Sequence, residues 1–114
     1  MKVINTIDII IYETAQGKQP YAEWQKKLEA KIKSIVLARF ARVRSGNFGD
    51  FKPLEDGEGV YEIRIDFGPG YRIYFGKKGA TIIVLLAGGT KGSQGRDIAK
   101  AKRYWSDFKE RKNG

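Results

Sequence analysis

The 114-residue chain contains no cysteine and no histidine. Without cysteine there are no disulfides and no thiolate metal sites, a composition that suits a reducing compartment. Without histidine the commonest general acid/base is missing, and with it the Ser-His-Asp triad and most catalytic zinc sites. Any chemistry must therefore use arginine, lysine, tyrosine and carboxylates, and neither metal nor cofactor is expected. Long hydrophobic runs are missing too. The longest, residues 82–87, falls far short of the roughly 20 residues a membrane span needs, and no basic amino-terminal region precedes a long apolar stretch. A soluble, cytoplasmic protein is expected.

What the chain has in excess is positive charge. Twenty-two Lys and Arg against thirteen Asp and Glu give a net charge of +9 and a pI of about 9.8. On so small a domain that balance favours polyanionic partners, because each phosphate neutralised releases condensed counterions. Nucleic acid, the ribosome or an acidic protein fit. The length suits a single domain over residues 1–114, large enough for a core without covalent staples.

The most informative stretch is residues 60–75. Tyr61, Ile63 and Ile65 alternate with Glu62, Arg64 and Asp66, and after Gly68-Pro69-Gly70 the residues Tyr71, Ile73 and Phe75 alternate with Arg72, Tyr74 and Gly76. This period-two pattern predicts a β-hairpin with one buried face. A reversal centred on Gly68 sets Arg64 opposite Arg72 and Glu62 opposite Tyr74 on a shared polar face. Like charges opposed on a sheet destabilise it, so the arginine pair suggests an absent anion, and phosphate suits a guanidinium best. On this reading Arg72→Ala leaves the fold intact or slightly more stable.

Elsewhere, the β-branched alternation of residues 3–12 predicts a strand, and Pro20 suits the first turn of a helix. Ile32, Ile35, Val36, Phe40 and Val43 mark a buried helical stripe over residues 29–44, and the pattern is compatible both with one helix running on from Pro20 and with two separated by a break near residues 28–30. Lys26, Lys27, Lys31, Lys33, Arg39, Arg42 and Arg44 are expected outside it, as a solvated or binding surface. Gly46 reads as a helix cap, and residues 47–50 as a turn before a short extended piece at 51–54. Residues 82–86 are apolar at every position, the pattern of a strand covered on both sides. The glycine-rich residues 88–95 lack the Walker order and a parallel βαβ context, so nucleotide hydrolysis is not indicated. A final helix over residues 96–112 carries Ile98, Ala101, Trp105 and Phe108 on one stripe. Tyr21, Trp24, Trp105 and Phe108 sit at helical spacing and are read as packing residues, whereas Tyr74 shares the arginine face. The expected fold is a small α+β domain with an antiparallel sheet. Its helices pack on one face against Ile63, Ile65, Ile73, Phe75, Val84 and Leu86, and the other face is open.

The succession Tyr61-Glu62-Ile63-Arg64, Gly70-Tyr71-Arg72-Ile73-Tyr74-Phe75, an apolar strand, Gly89-Thr90-Lys91 and a terminal helix resembles the RelE/ParE toxin superfamily, in particular its HigB-like addiction-module killer branch. The likeness covers nearly the whole chain. It implies a RelE-like fold and a cognate antitoxin of helix-turn-helix type encoded by an adjacent gene, through which alone DNA is met. Many such proteins cleave messenger RNA in the ribosomal decoding site, while the ParE branch inhibits DNA gyrase.

By motif, the resemblance places catalytic roles on Arg64, Arg72 and Lys91. Glu62 stands where the nuclease prototype has a second lysine, and Asp97 and Ile98 stand nearest its tyrosine. Metal-independent cleavage uses the ribose 2'-OH as nucleophile, with Arg64 and Arg72 on the phosphate, Lys91 at the departing oxygen, and Glu62 or Tyr74 as proton carriers. The rival readings are a gyrase-binding toxin without nuclease chemistry and a non-catalytic RNA-binding module.

Overall fold

The computed structural model describes residues 6–56 and 58–113. The elements are β1 (Asp8–Ile11), α1 (Pro20–Lys26), α2 (Ala30–Arg44), β2 (Phe51–Pro53), β3 (Val60–Ile65), β4 (Tyr71–Lys78), β5 (Ile82–Thr90) and α3 (Gln94–Asn113), the last two joined by a 3-10 turn at Lys91–Ser93. Of the strand expected over residues 3–12, Val3, Ile4 and Asn5 lie outside the described residues. Among those described, no helix is long and apolar enough to cross a membrane.

The α+β class holds, but the sheet is mixed rather than wholly antiparallel. Its five strands run in the order β1-β5-β4-β3-β2, with β1 parallel to β5 and every other pair antiparallel. The chain leaves β1 at one edge and crosses through α1 and α2. It re-enters as β2 at the other edge and meanders back until β5 meets β1. Two helices supply the length that such a crossover between distant strands needs.

The expectation of one open sheet face is overturned. On one side Tyr21, Ile32, Val36, Phe40 and Val43 of α1 and α2 pack on Ile63, Ile65, Ile73, Phe75, Ile83 and Leu85. On the other, Ala101, Trp105 and Phe108 of α3 pack on Val60, Tyr74, Val84 and Leu86. An apolar helical stripe must be buried somewhere, and only the second face was unoccupied.

Val84 and Leu86 therefore belong to the α3 side, not to the core shared with Ile63 and Phe75. The pairing explains the reassignment: Val84 opposes Gly76, and Leu85 opposes Phe75. The register then shifts by one residue, so that Tyr74 pairs with Ala87 and Leu86 is the extra residue of a β-bulge. Gly76 makes room for the helix, since a Cβ there would lie 2.3 Å from the Trp105 ring.

Candidate functional site

The hairpin register is as the alternation requires. Arg64 opposes Arg72, Glu62 opposes Tyr74 and Ile65 opposes Tyr71, which centres the reversal on Gly68. Gly68 and Gly70 both have positive φ, +57° and +84°, a conformation that glycine adopts without strain. The α3 helix begins beside Glu62, where Gln94 Nε2 donates to Glu62 Oε1 at 3.1 Å. It then runs away from the hairpin tip toward Gly76 and Trp105. Arg64 and Arg72 sit two residue pairs nearer the tip, past the helix start.

The two arginines are not left to repel each other. Arg64 donates through Nε and Nη2 to Asp50 Oδ1 at 3.2 and 2.9 Å, with the pair 36% and 53% exposed. Arg72 Nε lies 2.9 Å from Glu62 Oε1, and their side chains are 13% and 1% exposed. The Nε hydrogen is not aimed at that oxygen, so the approach is ionic rather than a directed hydrogen bond. Each guanidinium thus carries its own carboxylate, which removes the expectation that Arg72→Ala would be neutral or stabilising. What stays unpartnered among the described residues is the outer edge of Arg72, its two terminal nitrogens.

Lys91 joins this edge. Its backbone N–H donates to Gly70 O at 3.0 Å, extending the β4–β5 ladder by one pair. A Cβ at Gly70 would lie 3.7 Å from Lys91 Cβ and 3.9 Å from Arg72 Nη1, so the glycine leaves both side chains on one patch. Lys91 is exposed and no described residue pairs with its ammonium. The structure brings Arg64, Arg72 and Lys91 together at the hairpin end of the α3 face.

Glu62 and Tyr74 are placed differently from the expectation of a solvent-facing proton carrier, because α3 buries both completely. The Tyr74 hydroxyl has no hydrogen-bond partner among the described residues. Burial, then the nearby Glu62 and Asp97 carboxylates, push its pKa well above the usual phenol value, with Arg72 partly opposing them. Stacking of Tyr74 on a base is excluded in this arrangement. Both residues form the floor that holds Arg72.

Further residues build the site, and none of them is among the expected catalytic residues. Asp50, read as part of a turn, partners Arg64. Gln94, read as loop, occupies the first turn of α3 and reaches Glu62. Asp97 is buried and accepts a hydrogen bond from the Ser93 hydroxyl, while Ser93 Oγ accepts from Thr90 N at 3.2 Å. Gly89, directly opposite Arg72, is the position where Asp97 fits: a Cβ there would come within 1.8 Å of Asp97 Oδ2. Arg39 is buried rather than part of the basic exterior, and donates to the carbonyls of Phe48, Asp50 and Arg64. It fixes the backbone on both sides of the Arg64–Asp50 pair.

No family model matches the chain. It is 41% identical over 83 residues to an uncharacterized protein of Haemophilus influenzae, an alignment that covers 72% of this chain and 82% of that protein. At that identity and coverage the chain belongs to the same family as the Haemophilus influenzae protein.

Proposed function

We propose that the protein is the toxin of a type II toxin–antitoxin pair, a metal-independent endoribonuclease that cuts messenger RNA on the ribosome in the cytoplasm. The observation that carries this reading is the outer edge of Arg72, without a partner among the described residues, held from behind by buried Glu62 and flanked by Lys91 and Arg64. Two guanidinium groups and an ammonium on one patch stabilise the extra negative charge of a pentacoordinate phosphate. In the reaction the 2'-OH attacks the adjacent phosphorus and loses its proton, and the 5'-oxygen leaves and gains one. The products are a 2',3'-cyclic phosphate and a 5'-hydroxyl. In this reading Lys91 steadies the leaving oxygen. Asp50, half-exposed in its contact with Arg64, serves as proton acceptor, while the ribosome orients the message. An antitoxin with an acidic surface and a helix-turn-helix restrains the toxin through complementary charge.

One observation favours a gyrase-binding toxin instead: both arginines already have internal carboxylates, and Glu62 and Tyr74 are closed to solvent. Primer extension on a translated message, with growth arrest measured alongside, separates the two. The nuclease reading expects strong stops for the wild type and their loss in Arg72→Lys and Lys91→Ala. Growth arrest with intact message moves the assignment to the gyrase type, and harmless expression removes the toxin reading.

A further inference from the structure

Across β5 from the arginine patch, between α1 and the first turns of α3, lies a cleft of about 500 Å³. Lys18, Lys27, Arg96 and Lys100 stand around it. Unlike those of Arg64 and Arg72, none of these four side chains makes an ion pair or a hydrogen bond with another described residue. Two carboxylates also face the cleft, Glu23 and Asp97. Asp97 is committed to Ser93 and is 7% exposed, so exposed Glu23 alone opposes four cations. The unbalanced charge that the sequence suggested for the hairpin is found here.

Two walls of the cleft are aromatic. Trp24 packs over Gly88, where a Cβ would meet its ring at 2.2 Å, and Tyr104 is stacked on Tyr12 with ring centroids 5.1 Å apart. Both rings are half-buried and held from behind, which suits them to stack on a flat ligand. The size falls in the range of small-molecule sites. One strand separates the cleft from the arginine patch: Gly89 and Thr90 of β5 line the cleft, Gly89 opposes Arg72, and Lys91 follows. Neighbouring strands are about 5 Å apart, a spacing that consecutive nucleotides span.

We propose that this cleft holds one nucleotide of a single-stranded RNA whose neighbouring phosphate lies against Arg72 and Lys91. The base packs between the aromatic walls, and the cations take the phosphate. The inference rests on the ribonuclease reading above and adds to it a recognition site that is separate from the reacting groups.

The test is an NMR titration of the full chain with a fully 2'-O-methylated hexaribonucleotide, which cannot be cleaved, and with hexaglutamate as an acidic-peptide control. The expected result is movement of the Trp24 indole N–H signal and of the Arg96 and Lys100 amides, with binding weakened at least tenfold in the exposed-site variant Lys27→Ala/Lys100→Ala. Unmoved Trp24 and Arg96 signals, binding within twofold of wild type in that variant, or equal occupancy of the cleft by hexaglutamate would overturn the proposal. The last outcome would make the cleft a dock for an acidic protein. Because no ribosome is present, failure here is distinct from failure of the nuclease reading: cleaved message with an unmoved cleft removes only the cleft assignment. Intact message with the expected shifts supports the cleft and removes the nuclease.

Discussion

Arg72 reaches Glu62 diagonally across the β3–β4 pair, Nε to Oε1 at 2.9 Å, although the residue directly opposite Glu62 is Tyr74. Diagonal neighbours on a sheet are within reach of long side chains, and this reach turns an opposed arginine pair into two separate ion pairs. It also makes Arg72 structural as well as functional.

Arg72→Ala is therefore expected to destabilise. It leaves the carboxylate of fully buried Glu62 with Gln94 as its remaining partner, and removing one member of a buried pair costs about 3 kcal/mol. Arg72→Gln/Glu62→Gln removes both charges and should recover most of that loss. Chemical denaturation of the singles and the double completes the cycle. Equal stability of wild type and Arg72→Ala would show that the pair contributes nothing. The double variant also gives a folded background in which loss of message cleavage reports on chemistry alone.

A second expectation concerns Arg39, which spans three backbone carbonyls at 2.9 to 3.2 Å. Arg39→Met keeps the packed stem and removes the donors, leaving those carbonyls short of partners at a cost of about 3 kcal/mol. The loss should be local before it is global. The Arg64 N–H, which donates to Asp50 O at 2.9 Å, should exchange with solvent much faster in the variant, while amides in the centre of β4 change little. Unchanged exchange at Arg64 would show that residues 47–50 hold their place without Arg39.

The hairpin was legible because its two arms alternate in step about Gly68, which fixes register and face together. The place of α3 was harder to read. Ile98, Ala101, Trp105 and Phe108 announce a buried stripe but not which surface receives it. The clue lay elsewhere, in residues 82–86, whose unbroken apolarity demands cover on both sides and contradicts an open face. Gly76, Gly88 and Gly89 were silent for a different reason. A strand glycine marks a close approach, yet nothing local says that the visitors are Trp105, Trp24 and Asp97. Arg39 was misread by residue type. It lies three residues after Val36 and four before Val43, on the stripe itself, and its partners are carbonyls that no sequence pattern advertises. The Glu62–Arg72 pair was hidden because the alternation gives opposed residues, and this contact is diagonal.

The last expectation is a stability profile that falls at both ends of the pH scale through one contact. Buried Tyr12 donates its hydroxyl to Asp107 Oδ2 at 2.6 Å, and Arg111 pairs with the same carboxylate at 2.9 Å. The contact ties the chain just after β1 to the outer half of α3. The Tyr12 hydrogen bond is the main cause holding the Asp107 carboxyl below its ordinary value near 3.8, with Arg111 adding to it. Burial first, and then Asp107, push the Tyr12 phenol up from 10.0 to about 12. A carboxylate with a depressed folded pKa contributes stability that is present above the unfolded value and lost as pH falls through the folded one. A phenol with a raised folded pKa contributes stability that is present below 10 and lost as pH rises toward about 12. Tyr12→Phe should therefore lower the melting temperature by a few degrees at pH 7 and flatten both limbs, leaving the variant and wild type closer together below pH 3.8 and above pH 10. Asp107→Asn should flatten the acid limb in the same way. Thermal melts of the three proteins across the pH range check this, and a Tyr12→Phe deficit that stays constant from acid to alkali would show that packing of the ring, rather than the hydroxyl–carboxylate contact, holds α3 to the strand edge.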